Sequence, residues 1–155
     1  MQGSGGEEKK AVQYAYKLLS YRGRSEMELR GRLSMKGFSP RAVERALKHL
    51  NEHGYLNDGA LASSLRREAE ESKLLGEKGA MAYLRGRGIS REEAAEALGG
   101  YDELQCGRRL ARKKMKTIKT HELIVKRLPG IMARKGYSYD TIRKIMRILP
   151  KEEDS

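Results

Sequence analysis

The sequence predicts an all-α protein, built as a tandem array of three three-helix repeats. Three observations predict it. First, one phrase recurs three times: Leu33-x-x-Lys36-Gly37-Phe38-Ser39, Leu84-x-x-Arg87-Gly88-Ile89-Ser90 and Met132-x-x-Lys135-Gly136-Tyr137-Ser138, with the glycines 51 and 48 residues apart. Second, apolar positions stay in register around each copy. Leu29, Ala80 and Leu128 lie upstream, and Val43, Ala94 and Ile142, then Leu47, Leu98 and Met146, lie downstream. A period near 50 with a register of this kind means one structural unit used three times. Third, no segment alternates with period two over a useful length, so no strand is expected.

Each copy of the phrase reads as a junction between two helices. A Lys or Arg near a helix C-terminus meets the negative end of the macrodipole. The Gly after it closes the helix in the left-handed conformation, and the following Ser caps the next one. A further helix precedes each pair, giving three per repeat.

The elements follow in order. Ala11, Val12, Ala15, Leu18 and Leu19 form one apolar stripe, which predicts a helix over 7–20. Ser25-Glu26-Met27-Glu28 is a capping box and opens a helix over 26–36. Ser39-Pro40 puts Pro at the first helical position, where its missing N–H is harmless, and starts a helix over 40–53. Asn57 accepts at the start of a helix over 58–72. Helices over 76–86 and 91–98 flank the second junction, where Ser90-Arg91-Glu92-Glu93 is again a capping box. Leu104, Ala111 and Met115 mark one side of a helix over 102–117. Helices over 121–134 and 139–149 flank the third junction. Pro129-Gly130 falls where the first of these should be continuous, and Pro in a helix interior removes a hydrogen bond and clashes with the preceding turn. A kink or a fresh start at Pro129 is expected. The repeats then run 7–57, 58–100 and 101–150, with a flexible start over 1–6 and an acidic tail over 151–155.

A single repeat of about 50 residues would have a marginal core, so three repeats sharing interfaces are expected in place of three independent domains. Hydrophobic content of 38%, charged content of 35% and the absence of Trp suit thin helical units with much surface. There is no 18-residue apolar run and no signal-peptide pattern, so a soluble, cytoplasmic protein without membrane contact is expected. The single Cys106 excludes an internal disulfide. With no long heptad seam, a monomer is the expected state.

The net charge of +12 is unevenly spread. Residues 1–58 carry net +4, residues 59–100 none and residues 101–155 net +8. Between 104 and 147, 14 basic residues face only Glu122 and Asp140. So basic a segment implies a polyanionic or acidic partner. At 100° per residue, Arg109, Arg112, Lys113 and Lys116 share one face of the 102–117 helix, a surface suited to phosphates or carboxylates.

Enzyme chemistry finds no foothold. There is no P-loop and no GxGxxG. His49 and His53 sit at i, i+4, but zinc needs three or four ligands and the only other His is His121. The expected cofactor and metal sets are therefore empty, and the two histidines read as surface residues. The eight tyrosines, Tyr14, Tyr16, Tyr21, Tyr55, Tyr83, Tyr101, Tyr137 and Tyr139, read as aromatic bulk for the core in a chain with one Phe. Stacking on bases is their other use.

The stretch from Leu18 to Leu29, with Tyr21-Arg22-Gly23-Arg24-Ser25-Glu26-Met27-Glu28 inside it and Leu33 and Lys36-Gly37-Phe38 after it, resembles the opening signature of the RecX family of recombinase regulators. Gly54-Tyr55-Leu56-Asn57-Asp58 resembles that family's Gly-Tyr-Leu-Asp-Asp element, with Asn57 in place of the first Asp. Arg87-Gly88-Ile89 and Lys135-Gly136-Tyr137-Ser138-Tyr139-Asp140 resemble its later repeats. The likeness spans about 8–149. It implies an elongated, curved array that binds the RecA recombinase, lodges in the groove of its filament on single-stranded DNA, and restrains ATP hydrolysis, strand exchange and co-protease activity. Recombination, DNA repair and the SOS response are the processes implied.

The candidate filament-binding residues are Arg22 and Arg24 in the first repeat, Arg85 and Arg87 in the second, and Arg109, Arg112, Lys113 and Lys116 in the third. Single-stranded DNA phosphates are a further possible partner for them. For Arg22, Arg24, Arg85 and Arg87, helix-end electrostatics is the competing role. Two other readings of the whole chain stand beside this one. One is a direct nucleic-acid-binding protein using its three-helix units like helix-turn-helix modules. The other is an adaptor using the neutral middle repeat.

Overall fold

The computed structural model describes residues 2–149, with side chains for residues 5–149. The acidic tail expected over 151–155 lies outside the described residues. Within them the chain forms nine α-helices and no strand. They are α1 (Gln2–Tyr21), α2 (Glu26–Lys36), α3 (Pro40–Glu52), α4 (Asp58–Arg67), α5 (Glu77–Gly86), α6 (Arg91–Ala97), α7 (Glu103–Thr117), α8 (His121–Arg134) and α9 (Tyr139–Ile148).

The junction phrase folds as its residues dictate. Gly37, Gly88 and Gly136 have φ of 105°, 87° and 87°, which only Gly adopts without strain. The N–H groups of Phe38 and Tyr137 donate back to the carbonyls of Leu33 and Met132, closing α2 and α8. Ser39, Ser90 and Ser138 then accept from the N–H groups of Ala42, Glu93 and Thr141 at 3.1–3.2 Å. Ser25 does the same for Glu28 at the head of α2.

Three segments depart from the sequence reading. α1 begins at Gln2, so residues 2–6, expected to be flexible, extend the helix by more than a turn beyond its first packed residues. The helix expected over 58–72 is α4 followed by a π-helical turn, Glu68–Ser72, in which the Lys73 N–H reaches the Glu68 carbonyl at 2.9 Å. The wider turn buries Ala69 completely and delivers the chain to Leu74, whose φ is 51°. Finally, α8 runs through Pro129 without starting again. The bond that Pro129 cannot make would go to the Val125 carbonyl. Val125 is 46% exposed, so water can take the vacant place.

The helices form two compact units: Met1–Ser63 with Arg85–Ala94, and Ser64–Leu84 with Ala95–Ser155. In the first, α1, α2 and α3 pack on one another around Leu18, Leu29, Leu33, Val43, Leu47 and Leu50. In the second, α7, α8 and α9 do so around Leu110, Ile124, Leu128, Met132 and Ile145. The 58–100 segment, which the repeat pattern reads as a middle unit, is shared out between the two.

A recurring contact explains that sharing. In the first unit, Gly88 lies so close to the buried Ser25 cap of α2 that a Cβ on Gly88 would overlap Ser25 Oγ. In the second, Gly136 lies against Gly79 near the start of α5, and a Cβ on either would overlap backbone. The Gly76 N–H donates to the Lys135 carbonyl at 3.0 Å beside it. In both units a junction of one repeat seats on the N-terminal turn of the preceding repeat's middle helix.

Candidate functional site

In the first unit three of the four sequence-predicted arginines, Arg22, Arg24 and Arg87, gather around one carboxylate. Glu28 stands in the first turn of α2, where negative charge suits the helix dipole. Arg22 grips it with two nitrogens, at 2.7 and 3.2 Å, and Arg24 lies at 3.6 Å. Arg87 reaches it electrostatically. Burial pushes the Glu28 carboxyl up, but the hydrogen bond and charge of Arg22, with the fields of Arg24 and Arg87, outweigh it and hold the group below the usual carboxylate range.

Two of these arginines also serve helix ends. The Arg24 side chain is 9% exposed and donates to the Leu18 carbonyl near the end of α1. Arg85 donates to the Ile89 carbonyl at 3.1 Å, across the Gly88 junction. Helix-end chemistry thus accounts for Arg24 and Arg85, while Arg22 keeps 40% of its side chain exposed.

In the second unit, α7 divides the four predicted residues. Arg109 turns inward and donates to the Glu70 carbonyl in the π turn at 3.3 Å. The side chains of Arg112, Lys113 and Lys116 are exposed and make no ion pair or hydrogen bond among the described residues. The shortage of acid seen in the sequence has this consequence: of the 14 basic residues over 104–147, only Arg143 and Lys144 are in ion pairs among the described residues, and both share Asp140.

Beside that face lies a surface the sequence reading missed. A groove of about 380 Å³ runs between α7 and α9, floored by Ala111, Met115 and Ile145 and edged by Arg108, Arg112 and Ile148. Ile148 is 53% exposed although apolar. The signal was present, because Ile148 falls off the stripe of Ile142, Ile145 and Leu149 and so has no core to enter. An apolar floor with a guanidinium rim can take an amphipathic segment carrying acidic groups.

Two carboxylates were also missed. Glu7 accepts from the Ser39 N–H at 2.6 Å and from its hydroxyl, locking the head of α3. Glu103 accepts from the Glu77 N–H, the Ser138 N–H and hydroxyl, and the Thr141 hydroxyl. It therefore caps α5 and α9 together. Asp58 plays the matching part in the first unit, accepting from the Glu26 N–H at 3.0 Å.

The tyrosines divide by place. Tyr14 and Tyr16 pack on the first core, and Tyr101 and Tyr137 on the second. Tyr21, Tyr55 and Tyr139 are exposed. His49 and His53 stack at 4.1 Å, with His49 against the Tyr16 hydroxyl. Cys106 is buried, and burial pushes its thiol up. Among the described residues no group of three or more His, Cys, Asp or Glu is placed to hold a metal ion, and no helix is long and apolar enough to cross a membrane.

Comparison with known proteins agrees with this architecture. The family described as "RecX, first three-helix domain" matches residues 11–50. The regulatory protein RecX of Amycolatopsis mediterranei is 34% identical, over 90% of this chain and 85% of its own. That of Chlorobaculum tepidum is 28% identical, over 97% of this chain and 94% of its own. Among solved structures, RecX from Lactobacillus salivarius superposes with a TM-score of 0.77 at 23% identity, covering 92% of this chain and 96% of that one, which is a likeness of fold.

Proposed function

Because the chain belongs to the RecX family of regulatory proteins, we propose that it binds a RecA-type recombinase filament on single-stranded DNA, lodging in its groove. There it restrains ATP hydrolysis, strand exchange and co-protease activity. It acts by binding and performs no catalysis of its own. The single observation that carries the reading is the run of cations on α7, Arg112, Lys113 and Lys116, which is exposed, unpaired among the described residues and adjacent to the apolar groove edged by Arg108 and Ile148.

The chemistry follows from that juxtaposition. The lysines and Arg112 draw an acidic surface or exposed phosphates by long-range attraction, which sets the rate and orientation of encounter. Desolvation of the groove's leucine- and isoleucine-like surface then supplies the non-directional part of the affinity. Arg22 and Arg87 add a second positive contact in the first unit, around Glu28. Arg24, Arg85 and Arg109 contribute by fixing the helix ends from which their neighbours project.

Direct nucleic-acid binding is the rival reading, and the same cations favour it. A titration of the protein into a recombinase–single-stranded DNA ATPase reaction, with binding to bare DNA followed in parallel, separates the two. We expect ATPase activity to fall at protein concentrations that leave bare DNA uncoated. A fall only at DNA saturation would overturn filament binding in favour of competition for DNA. The salt slope of DNA binding counts the phosphates engaged in that second case.

A further inference from the structure

In the second unit a cavity of about 230 Å³ is lined by Lys73, Lys113, Lys114 and Lys135, with Ser72 at its edge and leucines, Leu74 among them, on its floor. No carboxylate lines it. The four lysines come from three separate segments: the loop after the π turn, the C-terminal part of α7 and the end of α8. Such a gathering of like charge is unfavourable unless something negative enters it.

The walls are held in place before any ligand arrives. The Tyr137 hydroxyl donates to the Leu74 carbonyl at 2.8 Å and the Tyr101 hydroxyl to the Leu75 carbonyl at 2.7 Å. Lys135 Nζ donates to the Lys73 carbonyl at 2.8 Å. Together they fix Leu74 in the left-handed region, a conformation that a leucine keeps only where its surroundings over-determine it. A π turn directly precedes this loop, and such turns gather at functional sites. Lys73 Nζ rests 5.0 Å above the Tyr83 ring, while the ammonium groups of Lys113 and Lys114 make no hydrogen bond or ion pair among the described residues. Burial, and then the fields of Lys114, Lys113 and Lys73, push the Lys135 ammonium below its usual range.

We propose that this cavity binds a compact phosphate group bearing two or more negative charges, such as pyrophosphate or the terminal phosphates of a nucleotide or strand end. A phosphodiester in a strand carries one charge and would leave most of the lysines unbalanced. A phosphate monoester carries about −1.5 to −2 near pH 7, and pyrophosphate more, which suits a space lined by four lysines and, among the described residues, no carboxylate. Ammonium groups suit this ligand as movable point charges. The floor of leucines keeps water out on the far side and strengthens each contact.

Isothermal titration of the whole chain with sodium pyrophosphate, at ionic strength held constant with chloride, tests the site. Saturable one-to-one binding is expected, weakened at least tenfold by Lys114→Gln and by Lys135→Gln, with Lys126→Gln as an unaffected control on the exposed side of α8. The Lys114 ammonium makes no hydrogen bond or ion pair among the described residues, so its variant reports on the ligand even if Lys135→Gln disturbs the loop. Neither lysine belongs to the α7 face assigned to the filament, so failure here leaves that assignment standing. Binding that does not saturate, or that Lys126→Gln weakens as much, overturns the proposal. So does a side-chain NMR titration in which the Lys135 pKa fails to rise on adding pyrophosphate. Displacement by ADP, or by a 5′-phosphorylated but not a 5′-hydroxyl oligonucleotide, distinguishes a free nucleotide from a strand end. Displacement by neither leaves pyrophosphate itself as the ligand.

Discussion

Glu7 and Glu103 sit near the start of the first helix of their bundles, and each takes both the N–H and the hydroxyl of the serine that opens the third helix. Glu103 also holds the heads of α5 and, through Thr141, α9. Burial pushes the Glu103 carboxyl up, but the bonds from Thr141, the Glu77 N–H and Ser138 outweigh it and hold the group below the usual range. A carboxylate with a depressed folded pKa stabilises the protein above its unfolded value of about 4.3, and that stability is lost as pH falls through the folded pKa. Glu103→Gln should therefore lower stability at pH 7 by about 1–2 kcal/mol and flatten its decline below about pH 4.5, read by urea unfolding across pH. The serine caps were legible in the sequence because donor and acceptor lie three residues apart. Glu103 was not, because its partners lie 26 to 38 residues away. The same difference governs the arginines. Arg112, Lys113 and Lys116 follow from helical periodicity and the absence of acid nearby. The inward turn of Arg109 depends on a backbone carbonyl in a distant turn, which no side-chain pattern announces.

At the scale of the element, the junction glycines are alike in φ and unlike in surroundings. A Cβ on Gly37 meets nothing within 4 Å, so Gly37→Ala should lose only the left-handed penalty, about 1 kcal/mol. At Gly136 the same change adds an overlap with the backbone of Gly79, and at Gly79 with the Lys135 carbonyl. Either substitution should lose more than about 3 kcal/mol, since packed backbone cannot step aside. Thermal unfolding of the three variants side by side checks the order. Helix positions were readable because stop and start signals are local. The π turn was not, since Glu68-Ala69-Glu70-Glu71-Ser72 carries helix formers throughout and its geometry answers to the burial of Ala69. Nor was the passage of α8 through Pro129, which rests on the exposure of the preceding turn.

Across the whole molecule the threefold phrase proves to be a frame that brings distant segments together. It was visible because repeats keep their register even as their chemistry diverges. What it could not reveal is that two of its glycines, Gly88 and Gly136, are docking points, nor that the 58–100 segment is divided between two compact units, because both arise from contacts between repeats. The charge asymmetry was legible from counting alone, and the exposed cations of α7, unpaired among the described residues, are its structural expression. The groove edged by Arg108 and Ile148 and the lysine cavity were hidden, because each is assembled from helices far apart in sequence. The central claim is that the α7 cations, rather than the helix-end arginines, engage the recombinase filament. It is tested most directly by the triple variant Arg112→Glu, Lys113→Glu, Lys116→Glu, matched to the wild type in helical circular dichroism and melting temperature, in the recombinase–single-stranded DNA ATPase reaction. The account predicts that inhibition requires at least about tenfold more of this variant, with a weaker dependence on salt. Inhibition at the wild-type concentration by the folded variant would contradict it.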